Sequence, residues 1–98
     1  MIVVVHEAAQ AEIENSIELY SKISELLGND FRDEVERAVQ LICERPQAWR
    51  PLSDRLRRYS LNRFPYGVVY RSHNGIVEIY AVMHLRRRPG YWRERLKR

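Results

Sequence analysis

Asn74-Gly75 is the pair of residues that most constrains how this chain can fold. It separates two runs, Tyr66–Arg71 and Ile76–Met83, in which aromatic and β-branched side chains alternate with others. Asn-Gly accepts positive φ at both central positions of a type I′ turn. That turn's twist matches the twist of two paired antiparallel strands. A β-hairpin over these residues is therefore predicted. Leu56 to Phe64 carries the same alternation, with Arg57, Tyr59, Leu61 and Arg63 on one face, and reads as the strand before it. At the other end of the chain Ile2–Val5 is a short β-branched run and reads as a first strand.

Between these strands the period changes to that of a helix. Ala9, Ile13, Tyr20 and Leu27 recur on one face over residues 8–27, with Ile17 and Ile23 beside them. Gly28 fits the residue that ends this helix. Asn29 or Asp30 then caps a second helix, with Asp33 and Glu34 near its positive end. Phe31, Val35, Ala38 and Ile42 form its apolar stripe, and Pro46 stops it. A break at 28–30 makes residues 8–44 an αα-hairpin. Residues 46–54 read as a loop with two prolines, and Arg86–Arg98 as a basic tail with a short helix around Tyr91–Leu96. The expected fold is α+β, in the order β-α-α-β-β-β. The αα-hairpin packs on a small, mostly antiparallel sheet, and the tail follows.

The length of 98 residues allows one domain, expected to span residues 1–98. The formal charge of +4 conceals a division. Residues 1–45 carry −6 and residues 46–98 carry +10. That asymmetry points to an anionic partner for the second half, nucleic acid or an acidic protein. A solvated basic face that complements the acidic helices is the plainer alternative. The single cysteine, Cys43, excludes an internal disulfide framework and a Cys-rich zinc site, so a reducing cytoplasm is the expected compartment. Met1–Val5 is too short for a signal peptide or a membrane span, and no membrane association is expected.

Arginine dominates the second half: Arg55, Arg57, Arg58, Arg63 and Arg71 on the strands, and Arg86, Arg87, Arg88, Arg93, Arg95 and Arg98 in the tail. Its planar fork suits phosphate and keeps its charge. Tyr59, Tyr66, Tyr91 and Trp92 are interleaved and have the π-faces on which bases stack. His84 ends the last strand, on one face with Glu78, Tyr80 and Val82 by strict alternation. It is either a general acid or base or a strand-end residue in a structural hydrogen bond. No metal-ligand spacing, glycine-rich phosphate loop or nucleophile elbow occurs, and no metal or cofactor is expected. Leu19, Ile23, Leu26 and Leu27 give the first helix an apolar arc wider than one buried face needs. They serve the core or a docking groove for a partner helix.

The combined order resembles the RelE/ParE superfamily of toxins from bacterial type II toxin–antitoxin systems. The features that carry the resemblance are the short first strand, the αα-hairpin ending at Glu44-Arg45-Pro46, Arg57-Arg58-Tyr59, and Phe64-Pro65-Tyr66-Gly67-Val68-Val69-Tyr70-Arg71. Ala81-Val82-Met83-His84 leading into Arg86-Arg87-Arg88-Pro89, and the trailing Tyr91-Trp92-Arg93-Glu94-Arg95, complete it. The resemblance covers nearly the whole chain. It implies one of two activities. Nuclease members cut mRNA in the ribosome by 2′-OH attack on the adjacent phosphate; ParE-like members inhibit DNA gyrase. Both are neutralised by a cognate antitoxin.

For a nuclease, the resemblance implies Arg58, Arg63 and Arg71 as phosphate binders and His84 as general acid. In those members the third strand commonly reads Arg-Leu-Val-Tyr, and its arginine contacts the scissile phosphate. Here the stretch is Gly67-Val68-Val69-Tyr70. Loss of a group that stabilises charge in the transition state costs about two to three orders of magnitude in rate. The Phe-Pro-Tyr run fits the ParE-like branch. The expectation is thus a ParE-like toxin that acts by binding gyrase, with ribosome-dependent endoribonuclease and an inactive antitoxin-binding module as alternatives. An acidic antitoxin is expected on Leu19, Ile23, Leu26, Leu27, Arg57 and Arg58. The target is expected on Arg86, Arg87, Arg88, Tyr91 and Trp92.

Overall fold

The structure is a computed structural model and describes residues 1–97; Arg98, counted above with the basic tail, lies outside the described residues. The Asn74-Gly75 turn forms as its sequence dictates, with φ of 51° and 76°. It joins strands β4 (Tyr66–His73) and β5 (Ile76–His84), whose last pair is His73 with Ile76. Strand β3 (Arg57–Ser60) pairs antiparallel with β4, and β1 (Ile2–Val5) pairs parallel with β5. A two-residue strand β2 (Arg50–Pro51) completes the order β1-β5-β4-β3-β2. The loop reading of 46–54 overlooked it. A strand with proline belongs at a sheet edge, since proline cannot donate to a second neighbour.

Two helices, α1 (Glu7–Ile23) and α2 (Glu25–Glu44), cross from β1 to the rest of the sheet. They meet at Ser24, and the expected break at Gly28 is corrected by four residues. Ser24 is extended, its N–H donates to the Tyr20 carbonyl, and its hydroxyl accepts from the Leu27 N–H at 3.3 Å. One serine thus closes the first helix and caps the second. Gly28 lies inside α2, buried against α1; a Cβ there would stand 1.9 Å from Ser21 Oγ. Its small size allows the helices to approach, and it ends nothing. At the other end of α1, His6 Nδ1 accepts the Ala8 N–H.

The strand expected over Leu56–Phe64 is shorter than its alternation implied. Its regular part stops at Ser60, and Leu61–Pro65 turns back, with the Leu61 N–H donated to the Tyr66 carbonyl. Leu61 and Phe64 are buried all the same. The Glu34 carboxylate of α2 accepts the N–H groups of Asn62 and Arg63 and so caps this turn from outside.

The main core lies between the helices and one face of the sheet. Ala9, Phe31, Val35, Ala38 and Ile42 meet Tyr59, Tyr66, Val68, Tyr70, Val77, Ile79 and Val82. A smaller core of Leu56, Val69, Tyr80, Ala81, Met83 and Trp92 covers part of the other face. A β-bulge assigns the residues of β5 to the two cores. Val69 pairs with Ala81 but Tyr70 pairs with Ile79, so Tyr80 is an extra residue. Past the bulge the alternation inverts.

Candidate functional site

The inversion at Tyr80 changes the setting of His84. Strict alternation places it with Glu78 and Tyr80. Instead it follows Val82 onto the helix side, opposite Tyr66, with ring centroids 5.3 Å apart. Its Nδ1 accepts the Arg86 N–H at 3.1 Å. Arg71 lies near the far end of β4, five residues from Tyr66, or about 16 Å of strand. It pairs with Glu78 at 3.0 Å. Arg63 sits in the turn after β3, 3.3 Å from Asp30. Arg58 lies on the open face. The four residues that a nuclease reading requires are therefore not brought together.

Arg58 instead belongs with Gly67. A Cβ on Gly67 would stand 2.9 Å from Arg58 Cδ and 3.0 Å from its Cγ, with Leu85 Cδ2 at 3.3 Å. The glycine leaves a slot that the arginine stem fills. The Arg58 Nε is buried with no hydrogen-bond partner among the described residues. An arginine at position 67 and Arg58 in its present place exclude each other. Arg57, one residue earlier, donates to the Trp49 carbonyl and to Gln47 Oε1, each at 2.8 Å, on the other side of the sheet. The two arginines expected to hold one antitoxin segment thus face opposite ways.

The apolar residues expected to bind that partner also divide. Leu19, Ile23 and Leu26 are exposed around Ser24, at 56%, 70% and 70%. Leu27 packs against the main core. A groove of about 610 Å³ lies between the helices and is lined by other residues. Ile13, Ile17, Val35 and Val39 form its apolar lining, and Glu14 and Glu36 line it too.

The tail is tied to α1 through one carboxylate, which the sequence reading passed over. Glu12 accepts from the Val82 N–H at 3.1 Å, from Arg95 at 2.8 Å and from the Tyr91 hydroxyl, and Arg87 stands 3.6 Å away. Arg95 also donates to the Tyr80 carbonyl at 2.9 Å. The reason lies in the sheet. β1 accompanies β5 only as far as Ile79, so the backbone groups of Tyr80 and Val82 need other partners. Glu12 and Arg95 supply them. Burial, then the bond to Glu12, hold the Tyr91 phenol well above its ordinary pKa. Arg87 stacks over the Tyr91 ring at 3.9 Å.

Of the residues expected to meet the target, Arg86, Arg87 and Arg88 are exposed. Trp92 is 5% exposed and belongs to the smaller core, so it anchors the tail and offers no free face for stacking. Among the described residues no three His, Cys, Asp or Glu side chains converge as metal ligands. No described helix is long and apolar enough to cross a membrane.

Residues 3–89 match the family described as the ParE toxin of the type II toxin–antitoxin system parDE. The chain belongs to the ParE toxin family. Its fold is also that of a solved ParDE chain, the chromosomal toxin–antitoxin system of P. aeruginosa. The two share 14% identity with a TM-score of 0.60, over 86% of this chain and 95% of that one. No curated protein matches the sequence significantly. The ParE match runs through Arg86–Arg88 and stops before Tyr91, Trp92 and Arg95. In this ParE-family chain the Glu12 tie therefore joins the matched region to the segment beyond it.

Proposed function

We propose that this ParE-family chain inhibits growth by binding DNA gyrase and does not cut RNA. Gly67 carries the reading. It stands where the resembling nucleases place the arginine on the scissile phosphate, and its slot is filled by the stem of Arg58. The dispersal of Arg63, Arg71 and His84 to separate places agrees with this. The exposed Arg86, Arg87 and Arg88 are the surface offered to the target. A cognate acidic antitoxin would seat its helix along the α1–α2 groove and over Leu19, Ile23 and Leu26, where apolar surface is exposed.

The test is a supercoiling assay with purified gyrase and relaxed plasmid, run beside an in vitro translation reaction. Loss of supercoiling or trapped cleavage complexes, with mRNA intact, is the expected result. Full supercoiling with mRNA cut only when ribosomes are present would overturn the proposal.

A further inference from the structure

We propose that a basic pocket at the His73 end of the sheet binds a phosphate group. The pocket, about 290 Å³, lies between the loop after α2, the turn at Asp54-Arg55 and the ends of β3 and β4. It is remote from Gly67, which lies near the other end of β4, while Asp54, Arg55 and Arg71 of its wall also border Leu96 of the tail. Arg55, Arg57 and Arg71 all line it, with Ser72 and His73; Asp54 is the one acid among its walls.

The arginines are not equally neutralised. Arg71 is paired with Glu78, which also bonds His73 and the Tyr80 hydroxyl. Its Nε is nonetheless buried without a partner among the described residues. Arg57 is held by two neutral acceptors, the Trp49 carbonyl and Gln47 Oε1. They fix the guanidinium and leave its charge intact, with three of its five N–H groups unused among the described residues. Arg55 is exposed and makes no side-chain hydrogen bond or ion pair among the described residues. A pre-ordered cation and a free one therefore border one cavity, beside the Glu78-paired Arg71.

A tetrahedral phosphate oxyanion can accept from several arginine forks in different planes, whereas a planar carboxylate matches one fork. Phosphate is the chemistry that uses this set most fully. It can come from a phosphate monoester such as a mononucleotide, or from the backbone of a nucleic acid.

The experiment titrates the full chain with inorganic phosphate at constant ionic strength and follows backbone amides by NMR. Saturable shifts at Arg55, Ser72 and His73 are expected, with chloride giving none. Arg55→Ala should weaken binding roughly tenfold, the loss of one charge-assisted contact. Arg57→Lys keeps the charge, removes the fork and should weaken binding as well. Arg37→Ala, on the exposed face of α2, should bind as the parent does. Because Arg55 is exposed and makes no side-chain bond among the described residues, its variant keeps the fold even if the Arg57 variant does not. Competition by a mononucleotide identifies a monoester source, and competition by duplex DNA alone identifies a backbone source. Shifts that never saturate, equal binding by R55A, or displacement by a polyglutamate peptide but by no phosphate compound would overturn the proposal.

Discussion

Arg58 and Gly67 share one space on the open face, and each determines what the other position can be. Adding a methyl group at position 67 meets the middle of the arginine stem and not its flexible tip. Gly67→Ala should cost about 1–3 kcal/mol, the usual range for overpacking a fitted contact. In an Arg58→Ala background the same change should cost markedly less, because the obstructing atoms are gone. A double-mutant cycle by urea denaturation measures this coupling; strictly additive losses would show that the two residues do not compete. In the sequence Gly67 was legible only as a missing arginine. What fills the slot depends on strand pairing. Glu78 is the opposite case, since the two-residue turn alone sets Arg71 across from Glu78. Bonds from Tyr80, His73 and Arg71 hold its carboxyl down at about 2 from an ordinary 4.5. A depressed acid stabilises the fold above its unfolded pKa, and that contribution is lost as pH falls from about 4.5 towards 2. Glu78→Gln should therefore flatten the acid limb of the stability profile, by on the order of 2 kcal/mol between pH 5 and 2.5. Thermal melts across that range would show it, and an unchanged slope would contradict it.

At the scale of elements the helical hairpin was legible and its joint was not. The stripe Phe31, Val35, Ala38 and Ile42 is buried as its spacing required. Gly28 misled because local propensity favours glycine at a helix end, whereas the need here is close packing of α2 on α1. Ser24 followed by Glu25 was the true signal, an N-cap with an acid in the first turn. Gly28→Ala tests which reading governs. In an exposed helix that change gains up to about 1 kcal/mol. Here the new Cβ meets Ser21 Oγ, Cβ and Cα at 1.9, 3.0 and 3.1 Å, so the sign should reverse and the protein should lose stability. A stabilised G28A would restore glycine's role as a helix end. The bulge at Tyr80 escaped the sequence for a related reason. Nothing in Ile76–His84 breaks the alternation, and the bulge lies where the Tyr80 carbonyl and the Val82 N–H find Arg95 and Glu12 as partners.

Over the whole molecule, the division into an acidic first half and a basic second half is partly satisfied within the chain. Glu12 of α1 gathers Tyr91, Arg95 and Arg87 of the tail, and the tail in turn lays Trp92 on the open face of the sheet. The charge asymmetry read from composition thus has an internal use as well as an external one, and it leaves Arg86 and Arg88 as exposed tail cations with no ion pair among the described residues. Glu12→Ala would leave Arg95, whose side chain is only 16% exposed, without its carboxylate. A loss of about 3 kcal/mol is expected for breaking such a pair from one side. The amide of Val82 reports it locally, because its N–H donates to Glu12 and to no strand. In E12A that amide should exchange with solvent far faster than the amides of Val68 and Val69 on β4, and trypsin should cut after Arg86 and Arg87 sooner. Should Val82 remain as protected as its neighbours on β4, the tail would be held by the burial of Trp92 alone and Glu12 would be only a surface companion to it.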